Sequence, residues 1–519
     1  MGTASSVAYV GFALYLVRLW WKTRQTAHSV GDLPGPTTVI APMTLLSKLL
    51  PSIPLINTGV MQELDRGYAD FAAAGCDAYA HRNVWPQPGV SLYLADPCMI
   101  KEVTTHRSRF PKPVHTAPYQ LVAFFGANIV VSEGEDWKRY RKVCAPAFLE
   151  RNNTLVWDET TRIVLDVIDN VWKRTDVVSV NNVLDLTVPM ALYVIGAAGF
   201  GRRMSFTEEH SVPDGFSMNF KDALYVVSEG VAIKMAIPKR MLCMTQQFRK
   251  VDRAFDELQR HMSHMVDSRR CRTTDVHSDL FSGLLDAADA DTGGVRLTSN
   301  ELFSNMFMFL LAGHETTAHT LAFSLALLAL YPDKQEKLYQ NVKEVTMDLG
   351  RTPAYDDISK LTYPLAVLYE TLRFRPPVLS IQKYSEQDTL LKVQNAEGGT
   401  TALPVPQGTP INIHVPGLHN NPRYWENPSE FIPERFLADY NKDAFIAFSA
   451  GARACIGRRF FETEAIATLS ILISYYRVHV QEDASHANET HEERKTRLMR
   501  TFFSLTTTPE RVPLTFKRR

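Results

Sequence analysis

The chain lacks net charge: 56 lysines and arginines balance 56 aspartates and glutamates. That removes any argument for bulk electrostatic capture of nucleic acid. Cysteine is scarce, with six in 519 residues, at positions 76, 98, 144, 243, 271 and 455, and no Cys-x-x-Cys pair. Such scatter excludes a disulfide framework and suits a reducing compartment. Internal repeats and low-complexity tracts are also missing. What remains is ordinary globular composition, 45% apolar and 22% charged, sufficient for a large core. Length alone suggests about two to four domains.

Long apolar runs are few. Residues 7–17 carry no charge and are followed by Arg18, Trp20, Trp21, Lys22 and Arg24. A helix from Ala4 to Trp21 would be roughly 27 Å long, near the hydrocarbon thickness of a thin bilayer. The basic residues follow the apolar run, whereas in a cleaved signal peptide they precede it. The expectation is a signal anchor within residues 1–30, its basic side cytoplasmic, with a cleaved peptide or an interfacial helix as alternatives. Pro34 and Pro36 then stiffen the exit.

Residues 302–331 are almost wholly apolar, yet their centre holds His314, Glu315, Thr316, Thr317 and His319. Polar groups at midspan are expensive in lipid. The run reads as a helix buried inside a large domain and ended by Pro332. Residues 245–266 have helical spacing, and 388–412, with Gly398, Gly399 and Gly408, suggest a small sheet. Residues 268–298 and 482–497 read as exposed connections.

The most informative stretch is Phe448-Ser-Ala-Gly451-Ala-Arg453-Ala-Cys455-Ile-Gly457. Glycines allow tight turns and close approach to a flat partner. An arginine two residues from a cysteine favours the thiolate. Phe-x-x-Gly-x-Arg-x-Cys-x-Gly should arise by chance in on the order of one chain in ten thousand of this length. The loop resembles the haem-binding loop of cytochrome P450 monooxygenases, membrane-anchored and of eukaryotic, fungal type.

The resemblance covers residues 30–519 and implies a mainly α fold with a small β portion. It implies one haem-thiolate catalytic domain over 31–519 behind the anchor at 1–30. Cys455 would be the axial thiolate of haem b, with Phe448, Gly451, Arg453 and Gly457 shaping its loop. Ala312-Gly313-His314-Glu315-Thr316-Thr317 resembles the family's oxygen-activation motif, Glu315 being the acid and Thr316 the alcohol. The alternative for Thr316 is a hydroxyl bonded back to the preceding turn. A glycine and a carboxylate inside an apolar helix suggest local distortion that admits a ligand.

Glu370 and Arg373 stand i, i+3, and with Arg435 in Pro433-Glu-Arg-Phe436 they resemble the family's structural triad. Trp137 and Arg141 are implied contacts of a haem propionate, as is Lys383, where the family commonly has arginine and lysine loses the bidentate fork. Lys138 and Arg139 otherwise read as a solvated basic face. Together with Lys142, Arg458 and Arg459 they form a candidate basic patch for an acidic redox partner.

Apolar Tyr119, Leu121, Phe124, Phe125, Val378–Ile381, Phe502 and Phe503 are candidate substrate-pocket residues, with core packing the equal alternative. The implied activity is insertion of one atom of O2 into a lipophilic small molecule, such as a terpenoid or other secondary metabolite. Electrons would come from an NADPH-dependent flavoprotein reductase, at the cytoplasmic face of the endoplasmic reticulum membrane. The rivals are reductase-independent rearrangement or peroxygenase chemistry on the same fold, and a non-enzymatic haem-binding protein.

Overall fold

The computed structural model describes every residue except 1, 43, 45, 48–49, 60, 121, 124, 149, 208–211, 271–278, 290–296, 348–350, 395–398, 484–485 and 487. Leu121, Phe124, Cys271, Asp291, Gly293, Gly294 and Gly398 therefore lie outside the described residues. The chain gathers into two compact units that interleave along the sequence. One is Met1–Pro118, Arg373–Phe431 and Tyr440–Cys455; the other is Tyr119–Leu372, Ile432–Asp439 and Ile456–Arg519.

The first unit is built on a five-stranded sheet in the order Thr37–Ile40, Ala78–Trp85, Gly89–Leu94, Pro410–His414, Ser380–Tyr384. Tyr79 and Tyr93 face each other across antiparallel strands with rings stacked at 4.7 Å, a pairing that fixes register. Thr389–Gln394 and Thr400–Val405 form a separate antiparallel hairpin. The small sheet expected at 388–412 is thus a hairpin plus the strand Pro410–His414 of the larger sheet.

The first helix runs Gly2–Ser29 and ends at fully buried Val30 and left-handed Gly31, φ 66°. Among the described residues no helix is long and apolar enough to cross a membrane. In this helix Ser5, Ser6, Tyr9, Tyr15 and Arg18 dilute the apolar run.

The second unit is mainly helical, with a three-stranded sheet of Val177–Val180, Leu514–Arg518 and Tyr476–Val480, and is built around Ser299–Leu330, a helix of 32 residues. Thr298 and Glu301 cap its start reciprocally, its end is at Leu330, and Pro332 opens the next helix. As the apolar pattern requires, it is buried along nearly its whole length. The helix expected at 245–266 spans Gln246–Arg270.

Two expected connections each contain a helix, residues 271–278 and 290–296 of the first lying outside the described residues. Leu280–Asp289 is a helix that buries Leu280, Phe281, Leu284 and Leu285 on one face. His491–Leu498 is a polar helix started by a Thr490–Glu493 capping box and braced where Arg497 forks onto Glu489 at 2.7 Å to both oxygens.

Candidate active site

The cysteine loop belongs to the first unit. Backbone hydrogen bonds shape it. The Cys455 N–H donates to the Phe448 carbonyl at 2.8 Å, and Ala454 N–H donates to Gly451 O at 3.0 Å. Gly451 takes φ 66°, and a Cβ there would stand 2.7 Å from the Thr104 carbonyl oxygen, so only glycine fits. Ser449 also takes a positive φ, 62°. Cys455 is exposed at the end of this turn and forms no disulfide. Cys144, by contrast, is buried, and burial pushes its thiol up to about 12. In the same unit Lys383 is only 2% exposed, on the edge strand Ser380–Tyr384.

The acid and alcohol belong to the second unit. From Leu302 to Leu330 every residue of the long helix is buried except Ala312, Gly313 and Thr316. Those three share one face, spaced i, i+1 and i+4. They open a notch one turn long in an otherwise sealed helix. Glu315 is buried at 9% exposure, and burial pushes its carboxyl up to about 7, although hydroxyls of Ser504 and Thr506 pull the other way. The Thr316 hydroxyl donates to Ala312 O at 2.7 Å, the bonded-back alternative.

The α-helix is continuous through Ala312–Thr317. Gly313 has a packing reason, since a Cβ there would lie 3.3 Å from Ile195 Cδ1. Gly457, after the cysteine, would bring a Cβ no closer than 3.7 Å to Phe148, so packing within the chain does not demand glycine there.

Glu370 and Arg373 are both fully buried. Glu370 Oε1 accepts from Arg435 Nε at 3.1 Å and from the Ile432 N–H at 2.9 Å. Arg373 donates to the carbonyls of His419 and Glu430, at 2.8 and 3.2 Å. Helix Gly134–Cys144 buries Trp137, Tyr140, Val143 and Cys144, and leaves Arg141 half-buried one turn beyond Trp137.

Arg139 is part-exposed but paired. Its guanidinium forks onto Glu301 at 3.0 and 2.5 Å, and Tyr140 OH adds a bond at 2.7 Å. The Arg139 bonds hold Glu301 down to about 2. Among the apolar candidates, Phe125 is half-buried and packs in a ring cluster with Phe255, Phe303 and Phe307. Val378 and Phe502 are each 47% exposed.

Sequence reasoning missed Ser504 and Thr506 as partners of Glu315, and Tyr369, which donates to Glu462 at 2.5 Å and accepts from Arg458 at 2.7 Å.

Comparison with known proteins decides the family. The cytochrome P450 family model matches residues 52–502. The chain belongs to the cytochrome P450 family. It is a cytochrome P450 monooxygenase, 48% identical over 471 residues to cytochrome P450 monooxygenase 124 of Postia placenta, 90% of each chain being covered. It is 28% identical over 403 residues to bifunctional cytochrome P450/NADPH–P450 reductase 2 of Bacillus subtilis, covering 75% of this chain and 36% of that one. The fold matches the crystal structure of the cytochrome P450DA heme domain with a TM-score of 0.74 at 23% identity, over 94% of this chain and 98% of the other.

P450 membership implies haem-thiolate iron, O2 as co-substrate, a redox partner and a small-molecule substrate. The cysteine loop fits a haem: an exposed thiol stands at the end of a turn fixed by backbone hydrogen bonds and by a glycine that no other residue could replace.

Proposed function

We propose that this P450 takes two electrons from a separate NADPH-dependent flavoprotein reductase and oxidises a lipophilic small molecule, a terpenoid or related secondary metabolite of a fungus. Cys455 would ligate the haem within the loop of Phe448, Gly451, Arg453 and Gly457. Trp137, Arg141 and Lys383 would hold its propionates. When bound, the haem supplies dioxygen activation. The chain's own part is to seal and to protonate. The apolar length of the long helix excludes water, and Glu315 holds a proton at an acidity matched to neutral pH, beside the hydroxyl of Thr316. That carboxyl is the observation that carries the reading, because reductase-independent rearrangement needs no such proton source. Exposed Val378 and Phe502 support an apolar ligand.

Assay with a fungal reductase, NADPH and a panel of terpenoids and fatty acids tests the proposal. NADPH-dependent product is the expected result, and product formed only with peroxide would favour the peroxygenase reading.

The reductase is supported by the bifunctional relative, whose name joins the two activities. The basic patch contributes less than its sequence suggests. Lys138 pairs with Glu135, Arg139 with Asp136 and Glu301, and Arg458 and Arg459 with Glu462. Four carboxylates answer five cations, with Lys142 left exposed. Electron delivery should therefore slow only about two- to threefold when salt rises from low to physiological strength. Stopped-flow reduction at graded salt measures this, and no dependence at all would remove steering from the account.

Anchoring at the endoplasmic reticulum, single-pass with the catalytic part cytoplasmic, is supported by the exposure of Leu14, Tyr15, Val17, Trp20 and Trp21 on the first helix. The full chain should stay in the membrane pellet after alkaline carbonate extraction. Release by carbonate would indicate a helix lying in the interface instead.

A further inference from the structure

Glu315 sits in a closed ring of hydrogen-bonding groups that no motif announces. Ser504 Oγ donates to Glu315 Oε1 at 3.0 Å, and Thr506 Oγ1 lies 3.5 Å from the same oxygen. Thr506 Oγ1 also meets His319 Nδ1 at 2.8 Å. Thr508 Oγ1 lies 3.4 Å from both Ser504 Oγ and His319 Nδ1. The three hydroxyls come from one small hairpin, Thr501–Phe503 paired with Thr507–Pro509. His319 lies one helical turn after Glu315.

Burial divides the ring. Glu315, His319, Thr506 and Thr508 are buried, whereas Ser504 is exposed. Thr506 is at the limit of bonding distance from Oε1 and is committed to the imidazole. Burial pushes His319 down to about 4, so at neutral pH it is a dipole and contributes no positive charge. The bonded partners of the carboxyl are thus hydroxyls, and one of them reaches the exposed side.

We infer that Ser504 is the positioning residue of Glu315, and that its exposed hydroxyl is the point through which the buried carboxyl exchanges protons. This rests on reading Glu315 as the acid of the reaction. Each exchange is balanced at oxygen. The Ser504 O–H bond breaks as its proton passes to Glu315 Oε1, and a new O–H bond forms as Oγ accepts a proton from a solvent acid. One proton moves inward and nothing is oxidised or reduced. The hydroxyl also fixes the carboxyl rotamer, and as a donor it favours the ionised form.

The test uses the full haem-loaded chain with its reductase. Product formed per NADPH consumed is measured from about pH 6 to 9, and in light and heavy water. Ser504→Ala should lower coupling roughly tenfold near neutral pH, move its inflection to higher pH, and enlarge the solvent isotope effect. Ser504→Thr should restore all three. Ser504→Ala combined with Glu315→Gln should couple no worse than Glu315→Gln alone.

If Glu315→Gln loses coupling while Ser504→Ala keeps the parent profile and isotope effect, the inference is overturned and the acid reading stands. If Ser504→Ala is merely slow, with an unmoved pH profile and no rescue by threonine, the serine is only structural and the inference is again overturned. If Glu315→Gln itself couples normally, the acid reading fails first, and the inference with it.

Discussion

Cys455→Ser should yield a folded protein with no thiolate signature in the carbon-monoxide difference spectrum and no reductase-dependent turnover. The two halves of that result have separate causes. The fold survives because the turn is held by backbone groups that serine keeps. Its geometry comes from the 2.8 Å bond between Cys455 N–H and Phe448 O, the 3.0 Å bond between Ala454 N–H and Gly451 O, and the left-handed residues 449 and 451. Serine reproduces all of these.

The chemistry is lost because a serine hydroxyl is not ionised near neutral pH, and the electron release that favours O–O cleavage belongs to a thiolate. Burial raises the thiols of Cys76 and Cys144, the latter to about 12. Gly451→Ala is the contrasting variant. It keeps the thiol but sets a Cβ 2.7 Å from a backbone oxygen at φ 66°, so it should lose bound haem through the loop instead. Circular dichroism, haem content and the difference spectrum, taken together, separate the two. A Cys455→Ser protein with parent spectrum and turnover would refute the ligand assignment.

What was legible in the sequence was what is local in the chain. The cysteine turn is specified within ten residues. The long helix announces itself by unbroken apolar residues around one polar island. What was illegible depends on residues brought together from far apart. Ser504 meets Glu315 across 189 positions, and Arg139 meets Glu301 across 162, so a side chain read as solvated turned out to brace a helix cap.

Two other misses had visible signals. Leu280, Phe281, Leu284 and Leu285 carry helical spacing inside a segment whose flanking glycines and charges suggested a connection. Thr490 and Glu493 form a capping box in a segment too polar for burial to signal a helix. At Gly313 the sequence could not show a second role: a glycine in a helix can mark a near neighbour as readily as a ligand, and Ile195 is such a neighbour.

Glu370→Ala should cost about 3–5 kcal/mol and leave a protein that is insoluble or poor in haem, because it removes a fully buried carboxylate from a network of charged groups. The Glu370 carboxylate is fully buried and holds two donors, Arg435 Nε at 3.1 Å and the Ile432 N–H at 2.9 Å. Both belong to the tight turn around Pro433–Phe436. Alanine is an excellent helix residue, so the loss cannot be blamed on propensity.

The same turn is clamped a second time at Glu434, which accepts from Lys337 at 2.5 Å, Tyr363 at 3.0 Å and Lys334 at 3.2 Å. Burial would raise that carboxyl, but these donors bring it down to about 2. Lys337 is half exposed, so Lys337→Ala should cost under about 1 kcal/mol and serves as the control. Glu370→Gln keeps an acceptor for Ile432 and removes the charge, which places it between the two.

The deciding variant is the double substitution Glu370→Leu with Arg435→Leu. If the alanine effect comes mainly from an uncompensated buried cation, removing both charges should recover much of the stability, because apolar pairs often replace buried ion pairs without loss. If the double variant is as damaged as the single one, the pair is needed to set the path of the turn, and its role is geometric.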